Sequence, residues 1–170
     1  MSAKKSTASK PASHSDQELI ITRVFDAPRK LVWRAWTDAE QFKQWWGPKA
    51  YSCPACRIDF RVGGKYLACM RSPEGQNFWS TGVYREIIPM ERIVFTDSFA
   101  DEKGNVVPGT HYGLPTDGWP LEFTVTLTFK EAGGKTTMTL HKAGIPKGRM
   151  SEMEMLGWNE SFDKLVESLQ

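Results

Sequence analysis

Residues 121–129, LEFTVTLTF, carry the pattern that decides the fold of this chain. Five apolar residues, from Leu121 to Phe129, alternate with one glutamate and three threonines. Successive side chains of a β-strand point to opposite faces, so this strand has one apolar and one polar face. Such a strand is typical of an antiparallel sheet that buries one side and exposes the other.

Segments with the same two-residue period lie on both sides of this strand. We predict strands over 19–25 and near 51–60, 65–71, 77–88, 91–99, 119–130 and 135–142. Glycine and proline turns separate them, for example Gly63-Gly64 and Gly133-Gly134. The chain therefore contains seven strands.

Two short helices are predicted between the first two strands. Pro28 suits the first turn of the first helix, and apolar residues then recur at helical spacing up to Trp36. Thr37 and Glu40 form a capping-box pattern that starts the second helix, which presents three aromatic residues, Phe42, Trp45 and Trp46.

A long helix is predicted at the end of the chain. Ser151 and Glu154 form another capping-box pattern, which precedes an apolar stripe with spacings of three and four residues. The stripe consists of Met155, Trp158, Phe162, Leu165 and Leu169. The resulting order predicts an α+β fold in which helices pack on one face of a curved, seven-stranded antiparallel sheet.

A curved sheet that grips a long helix leaves space between the two. An empty hollow of about 300 Å³ would cost roughly 7 kcal/mol, which rivals the total stability of a domain, about 5–15 kcal/mol. Side chains fill such a space, or water and a ligand do.

Five segments of the chain are similar to a known family. They are VFDAPRKLVWRAWTDAEQFKQWWGP (24–48), RVGGKY (61–66), GVYREIIPMERIVFT (82–96), GNVVPGTHYGLP (104–115) and GWNESFDKLVESL (157–169). They resemble activator of heat-shock-protein-90 ATPase-like proteins, which belong to the START/SRPBCC superfamily, and the resemblance covers nearly all of 18–170. It implies a helix-grip fold with a ligand-type cavity, but no particular substrate.

The candidate ligand site lies between the sheet and the N-terminal half of the last helix. We expect it to be lined by Trp36, Trp46, Trp79, Phe95, His111, Tyr112, Phe123, Met155, Trp158 and Phe162. Adjacent helical residues point about 100° apart, so one of Trp45 and Trp46 is expected in the core and the other at the cavity. The resemblance places the loop with His111 and Tyr112 over the cavity mouth. These two residues either give polar specificity or anchor the loop.

Cys53-Pro54-Ala55-Cys56 matches the C-x-x-C pattern of redox and zinc sites. A second cysteine pair is absent from the sequence, and the segment falls in or beside a strand, whereas a redox motif needs a helix N-terminus. We therefore interpret the pattern as incidental and predict neither a metal nor a cofactor.

Composition and charge exclude several classes of protein. Residues 1–17 carry the formal charge of +2, and the remainder has 19 basic and 19 acidic residues, so a nucleic-acid-binding surface is not expected. Residues 1–17 are predicted to be a disordered polar tail, and 18–170 a single domain. No apolar stretch is long enough for a membrane span, and the N-terminus is polar, so the predicted location is the cytoplasm without membrane association.

Three functions follow from these observations. The first is binding of a small hydrophobic or aromatic molecule in the cavity. The second, implied by the family resemblance alone, is regulation of a heat-shock ATPase as a chaperone partner in the stress response. The third is a cyclase or lyase that uses the same pocket, although the sequence contains no nucleophile elbow, phosphate loop or zinc-protease motif and favours a binding protein over an enzyme.

Overall fold

The computed structural model describes residues 16–116 and 118–170. Its strands are β1 (Asp16–Phe25), β2 (Ser52–Ile58), β3 (Lys65–Arg71), β4 (Asn77–Ile88), β5 (Arg92–Ala100), β6 (Phe123–Ala132) and β7 (Lys135–Pro146). Its α-helices are α1 (Arg29–Thr37), α2 (Ala39–Phe42) and α3 (Arg149–Ser168). One turn of 3₁₀ helix, Gly109–Tyr112, lies in the long segment between β5 and β6.

All seven strands form one antiparallel sheet in the order β1-β7-β6-β5-β4-β3-β2. This arrangement confirms the predicted α+β, helix-grip fold. β1 pairs with β7, which is the last strand before α3. α3 and α1 pack on the same face of the sheet, where Trp36 of α1 contacts Phe162 of α3.

The core lies between that face and the helices. Trp36 of α1 is the centre of an aromatic cluster in which it contacts Phe95 of β5 and Phe162 of α3, with ring centroids 6.2 Å apart in both pairs. Its indole nitrogen donates to the Met138 sulfur of β7 at 3.1 Å. The alternation in β6 has the predicted effect, since Val125, Leu127 and Phe129 are buried.

Both predicted capping boxes are wrong. Asp38, not Thr37, caps α2, because its carboxylate accepts hydrogen bonds from the backbone nitrogens of Glu40 and Gln41. α3 begins at Arg149, two residues before the predicted cap. Ser151 instead lies in the first turn, where its hydroxyl oxygen accepts from the Gly148 nitrogen at 3.1 Å.

Other boundaries also differ from the prediction; for example, β7 extends to Pro146 rather than to residue 142. The predicted tail over 1–17 lies outside the described residues, except that Asp16 and Gln17 already belong to β1. β6 begins at Phe123 rather than at residue 119, and Leu121 is exposed. α2 ends at Phe42, so Trp45 and Trp46 belong to the turn that follows it.

Candidate functional site

A groove of about 240 Å³ opens between the N-terminal half of α3 and one end of the sheet. Its volume is close to the lower end of the range for ligand sites, about 300–1,000 Å³. Fifteen residues line it: Trp46, Gly47, Pro48, Tyr51, Met70, Phe78, Asp97, Phe99, Leu114, Met150, Met153, Glu154, Gly157, Trp158 and Ser161. The groove has three walls, formed by α3, by the turn after α2, and by strands β3 to β5.

The α3 wall follows from helical spacing. Met150, Met153, Gly157 and Ser161 are three or four residues apart and therefore share one face of the helix. Gly157 lines the groove where α3 approaches the turn after α2, since a methyl group at this position would lie at an ordinary contact distance, 3.6 Å, from the Cγ of Pro48. The two methionines supply flexible apolar surface at the rim.

The second wall is the turn Trp46–Tyr51, which is fixed by Lys164 of α3. Its ammonium group donates to the carbonyl oxygens of Trp46, Pro48 and Tyr51 at 3.5, 3.1 and 3.0 Å. Burial lowers the pKa of Lys164 below its ordinary value. One side chain thus donates to three carbonyl groups of a turn that lies outside the helices and strands.

The third wall consists of Met70, Phe78 and Phe99. Behind it, the Tyr112 ring packs against Phe78 and Phe99, with centroid distances of 5.2 and 6.1 Å. The Tyr112 hydroxyl donates to the Ala100 carbonyl oxygen and accepts from the Trp79 backbone nitrogen. Tyr112 therefore anchors its loop, and Leu114 is the residue of that loop that lines the groove.

A buried ionic network lies between one end of the groove and a smaller neighbouring cavity. The Lys142 ammonium group of β7 donates to Oδ2 of Asp97 at 3.0 Å and to Oε1 of Glu154. It also lies 4.4 Å from the centre of the Phe123 ring. The Tyr66 hydroxyl donates to Oδ1 of Asp97 at 3.1 Å. Three charged groups, from two strands and the helix, thus meet at the end of the groove.

Sheet register explains why these groups meet. Asp97 pairs with Phe123 across β5 and β6, and Val125 pairs with Lys142 across β6 and β7. Directly paired residues share a face, so Asp97 and Lys142 point toward α3 together with the core. Burial alone lowers the pKa of Lys142, but the two carboxylates outweigh it and hold that pKa above its ordinary value. Lys142 is therefore an ammonium ion, not a nucleophilic amine.

The smaller cavity has a volume of about 80 Å³ and lies on the other side of this network. Asp97, Phe99, Met150 and Glu154 line both cavities, whereas Lys142 lines only the smaller one. The predicted site residue Phe123 also lies here, together with Trp119 and Ser98.

Two predicted site residues lie in the groove wall. Trp46 and Trp158 face each other edge to face, with ring centroids 5.5 Å apart. Trp45 is fully buried, and its indole nitrogen donates to the Ala35 carbonyl oxygen at 3.0 Å. Trp45 thus lies in the core and Trp46 at the groove, but both belong to the turn after α2, so the helical spacing used in the prediction is not the reason.

Other predicted residues are placed elsewhere. Trp36, Phe95 and Phe162 belong to the filled aromatic core, where the space between the rings is about 10 Å³. Met155 is 40% exposed and does not line the groove, because the α3 face that does so runs through Met150 and Met153. His111 is exposed on the loop, and Trp79 contributes only its backbone nitrogen to Tyr112.

The residues that sequence reasoning missed include all three charged members of the network. Lys142 was detectable, since it continues the buried alternation of Met138 and Leu140 on β7. A lysine at an inward strand position needs a buried partner. Asp97 and Glu154 gave no comparable signal, because their meeting depends on register and on the position of α3.

The two cysteines of the C-x-x-C segment lie on β2, where Cys53 is buried and Cys56 is half-buried. Burial raises the pKa of Cys53 to about 11 and that of Cys56 to about 12, so both are thiols rather than reactive thiolates at neutral pH. Within 16–116 and 118–170, no three His, Cys, Asp or Glu side chains come together as metal ligands. In the same residues, no helix is long and apolar enough to cross a membrane.

Comparisons with known proteins identify relatives along almost the whole chain. Residues 26–170 match the family described as "Activator of Hsp90 ATPase homolog 1-like protein". No curated protein matches the chain.

Several solved structures share the fold. A protein from Chromobacterium violaceum is 29% identical, with a TM-score of 0.73 over 89% of this chain and 96% of its own. A protein from Nitrosomonas europaea is 27% identical, with a TM-score of 0.70 over 89% of this chain and 93% of its own. A protein from Arthrobacter aurescens is 27% identical, with a TM-score of 0.71 over 89% and 85%.

Proposed function

Since this chain belongs to the family of activator of Hsp90 ATPase homolog 1-like proteins, we propose that it uses the helix-grip scaffold of that family to bind a small, largely apolar molecule. The observation that supports this most strongly is the groove of about 240 Å³ beside α3. Its walls are mainly aromatic and methionine side chains, and few polar groups converge on it, as is typical of ligand sites.

The packing of the groove supports occupancy by something other than protein. The core beneath it is filled by rings, with only about 10 Å³ left between Trp36, Trp46 and their neighbours. Space of more than twenty times that size remains between Trp158, Phe78 and Phe99. Apolar walls gain free energy when a ligand replaces water there, about 25 cal/mol for each Å² covered.

The test is fluorescence titration with the neutral probe N-phenyl-1-naphthylamine. We expect saturable binding in the micromolar range, and a loss of at least about tenfold in affinity, or 1.4 kcal/mol, in Gly157→Leu. The new side chain would project into the groove from α3 and occupy part of its volume. Leucine also has a higher helix propensity than glycine, so the helix should be retained.

Glu167→Leu is the matched control for this titration. It introduces the same side chain on the same helix at an exposed position that does not line the groove. Its affinity for the probe should equal that of the unmodified protein. Equal affinity of all three proteins would show that the probe binds elsewhere and would reject the groove as the site.

A second candidate function is regulation of a heat-shock ATPase, which is favoured by the family match over 26–170. α3 also presents exposed apolar side chains, Met153, Met155 and Leu156, that a protein partner could cover. Stimulation of the ATPase activity of an Hsp90 chaperone by the chain, lost in Leu156→Asp, would support it. An unchanged ATPase rate over a range of chain concentrations would eliminate it.

A further inference from the structure

We propose that the groove selects ligands that carry a positively charged amine beside an apolar or aromatic group; this inference rests on the proposed ligand-binding function. It concerns the chemical class of the ligand, which neither the family nor the fold specifies.

The charges of the groove wall support an amine. Asp97 and Glu154 are the only charged residues among those that line it in the described part of the chain. Each carboxylate side chain keeps 16% of its surface exposed, whereas Lys142 keeps 3% and lies behind them. Two carboxylates against one ammonium leave a formal charge of −1 at this end of the groove. Lys142 does not line the groove, so the charged side chains available to a ligand there are the two carboxylates.

The hydrogen bonds of the network leave acceptor capacity for such a ligand. The two oxygens of Asp97 accept from Tyr66 and Lys142. Oε1 of Glu154 accepts from Lys142, but Oε2 receives no hydrogen bond from any residue that the structure describes. A carboxylate has about four acceptor positions, so Glu154 can accept an N–H donor without losing Lys142. Such a charge-assisted bond is roughly twice as strong as a neutral one.

The aromatic walls favour the same class of ligand. The groove is lined by the rings of Trp46, Trp158, Phe78 and Phe99, and aromatic rings both attract a nearby cation and pack against an apolar group. A ligand carboxylate would instead meet two carboxylates at this end. A neutral ligand could at most donate an uncharged N–H or O–H group, which would leave the excess negative charge at this end without a counter-charge. Both alternatives are therefore disfavoured relative to an amine.

The experiment compares three indole probes that differ mainly in the terminal group: tryptamine, tryptophol and indole-3-propionate. Isothermal titration calorimetry at pH 7 should show tryptamine binding at least about tenfold more tightly than tryptophol. Indole-3-propionate should bind most weakly. In Glu154→Gln, which preserves shape and removes one negative charge, the advantage of tryptamine over tryptophol should fall to less than about threefold.

Glu152→Gln is the control for the charge change. Glu152 is an exposed residue of the same helix and does not line the groove, so this variant should keep the preference for tryptamine. The comparison of the three probes uses the unmodified protein and stands even if Glu154→Gln fails to fold.

The outcomes separate this inference from the proposed function. If tryptophol or indole-3-propionate binds as tightly as tryptamine, the amine preference is overturned and apolar ligand binding stands. If the preference persists unchanged in a folded Glu154→Gln, the assignment to this network is wrong. If the neutral naphthylamine and all three indoles fail to bind, the proposed function itself is rejected.

Discussion

At the scale of single residues, the most consequential position is Lys142, a cation that is 3% exposed on the buried face of β7. A buried charge is tolerated only when it is paired and hydrogen-bonded, and Asp97, Glu154 and the Phe123 ring provide these contacts. The network fixes the positions of its two carboxylates as well as stabilising the fold. It holds a strand carboxylate and a helix carboxylate at one end of the groove.

Replacement of this cation should destabilise the fold. In Lys142→Met, Asp97 and Glu154 lose their common partner while remaining largely buried, and we expect a decrease of about 3–5 kcal/mol in the free energy of unfolding. Urea denaturation followed by circular dichroism measures it. Lys130→Met removes an exposed lysine of β6 and should change stability by no more than about 0.5 kcal/mol. Equal effects of the two variants would contradict the structural role of the network.

Gly157 shows a conflict between stability and an open groove. Gly157→Ala should raise the free energy of unfolding by about 0.5–1 kcal/mol, because alanine is the better helix former. The added methyl group would lie at an ordinary contact distance, 3.6 Å, from Pro48. Thermal denaturation measures the gain, and probe titration should show weaker binding.

Gly82→Ala is the contrasting variant in the sheet. A methyl group there would lie 1.7 Å from the Thr96 carbonyl oxygen and 2.7 Å from the Tyr66 ring. Neither backbone nor a packed ring can move cheaply, so stability should fall by about 1–3 kcal/mol or more. A stabilising Gly82→Ala would show that β4 and β5 are farther apart than described.

At the scale of elements, the groove depends on how α3 is joined to the turn after α2. Lys164 bonds to three carbonyl oxygens of Trp46–Tyr51, and Glu160 accepts from the Lys49 backbone nitrogen at 3.1 Å. These contacts link the last element of the chain to a turn more than one hundred residues earlier. Through them α3 sets the position of Trp46 and Pro48.

Lys164→Met should therefore loosen one wall without unfolding the protein. The three carbonyl groups would lose a charged donor, but two of their residues are partly exposed and water can replace part of the loss, so we expect a cost of about 1–3 kcal/mol. Hydrogen exchange should increase in residues 46–51, while β6 and β7 stay protected. Arg149→Met, at an exposed position of α3, is the control. Unchanged hydrogen exchange in the turn would show that Lys164 does not hold it in place.

At the scale of the whole molecule, alkaline pH should weaken the fold. Burial raises the pKa of Cys53 and Cys56 to about 11 and about 12 from an ordinary value of 9.0, and it raises the pKa of Tyr66 and Tyr84. Above pH 9 the unfolded chain loses these protons before the folded chain does. The folded state then binds more protons, so its stability decreases as the pH rises.

Urea denaturation at pH 8, 9, 10 and 11 checks this sign. We expect a continuous decrease in stability above pH 9, and a shallower decrease in the double variant Cys53→Ala/Cys56→Ala, since the two thiols no longer contribute between pH 9 and 11. For each protein, the free energy of unfolding at each pH is expressed relative to its value at pH 8, which removes the effect of lost packing in the variant. A wild-type stability that rises over this range would contradict the burial of these groups.

The element order and the buried faces of strands such as β6 were predictable from the sequence, because periods of two and of 3.6 residues are local and buried faces keep them. The alternation over 123–129 is an example. The family was predictable from the resemblance of five segments of the chain, not from these periods. Which rings fill the core and which line the groove was decided by tertiary structure. Trp36 and Trp158 have the same chemistry and helical setting, but long-range packing surrounds one with rings and leaves the other beside open space. The pairing of Lys142 with Asp97 and Glu154 also depends on register and on the docking of α3, since local patterns carry no information about contacts between distant segments.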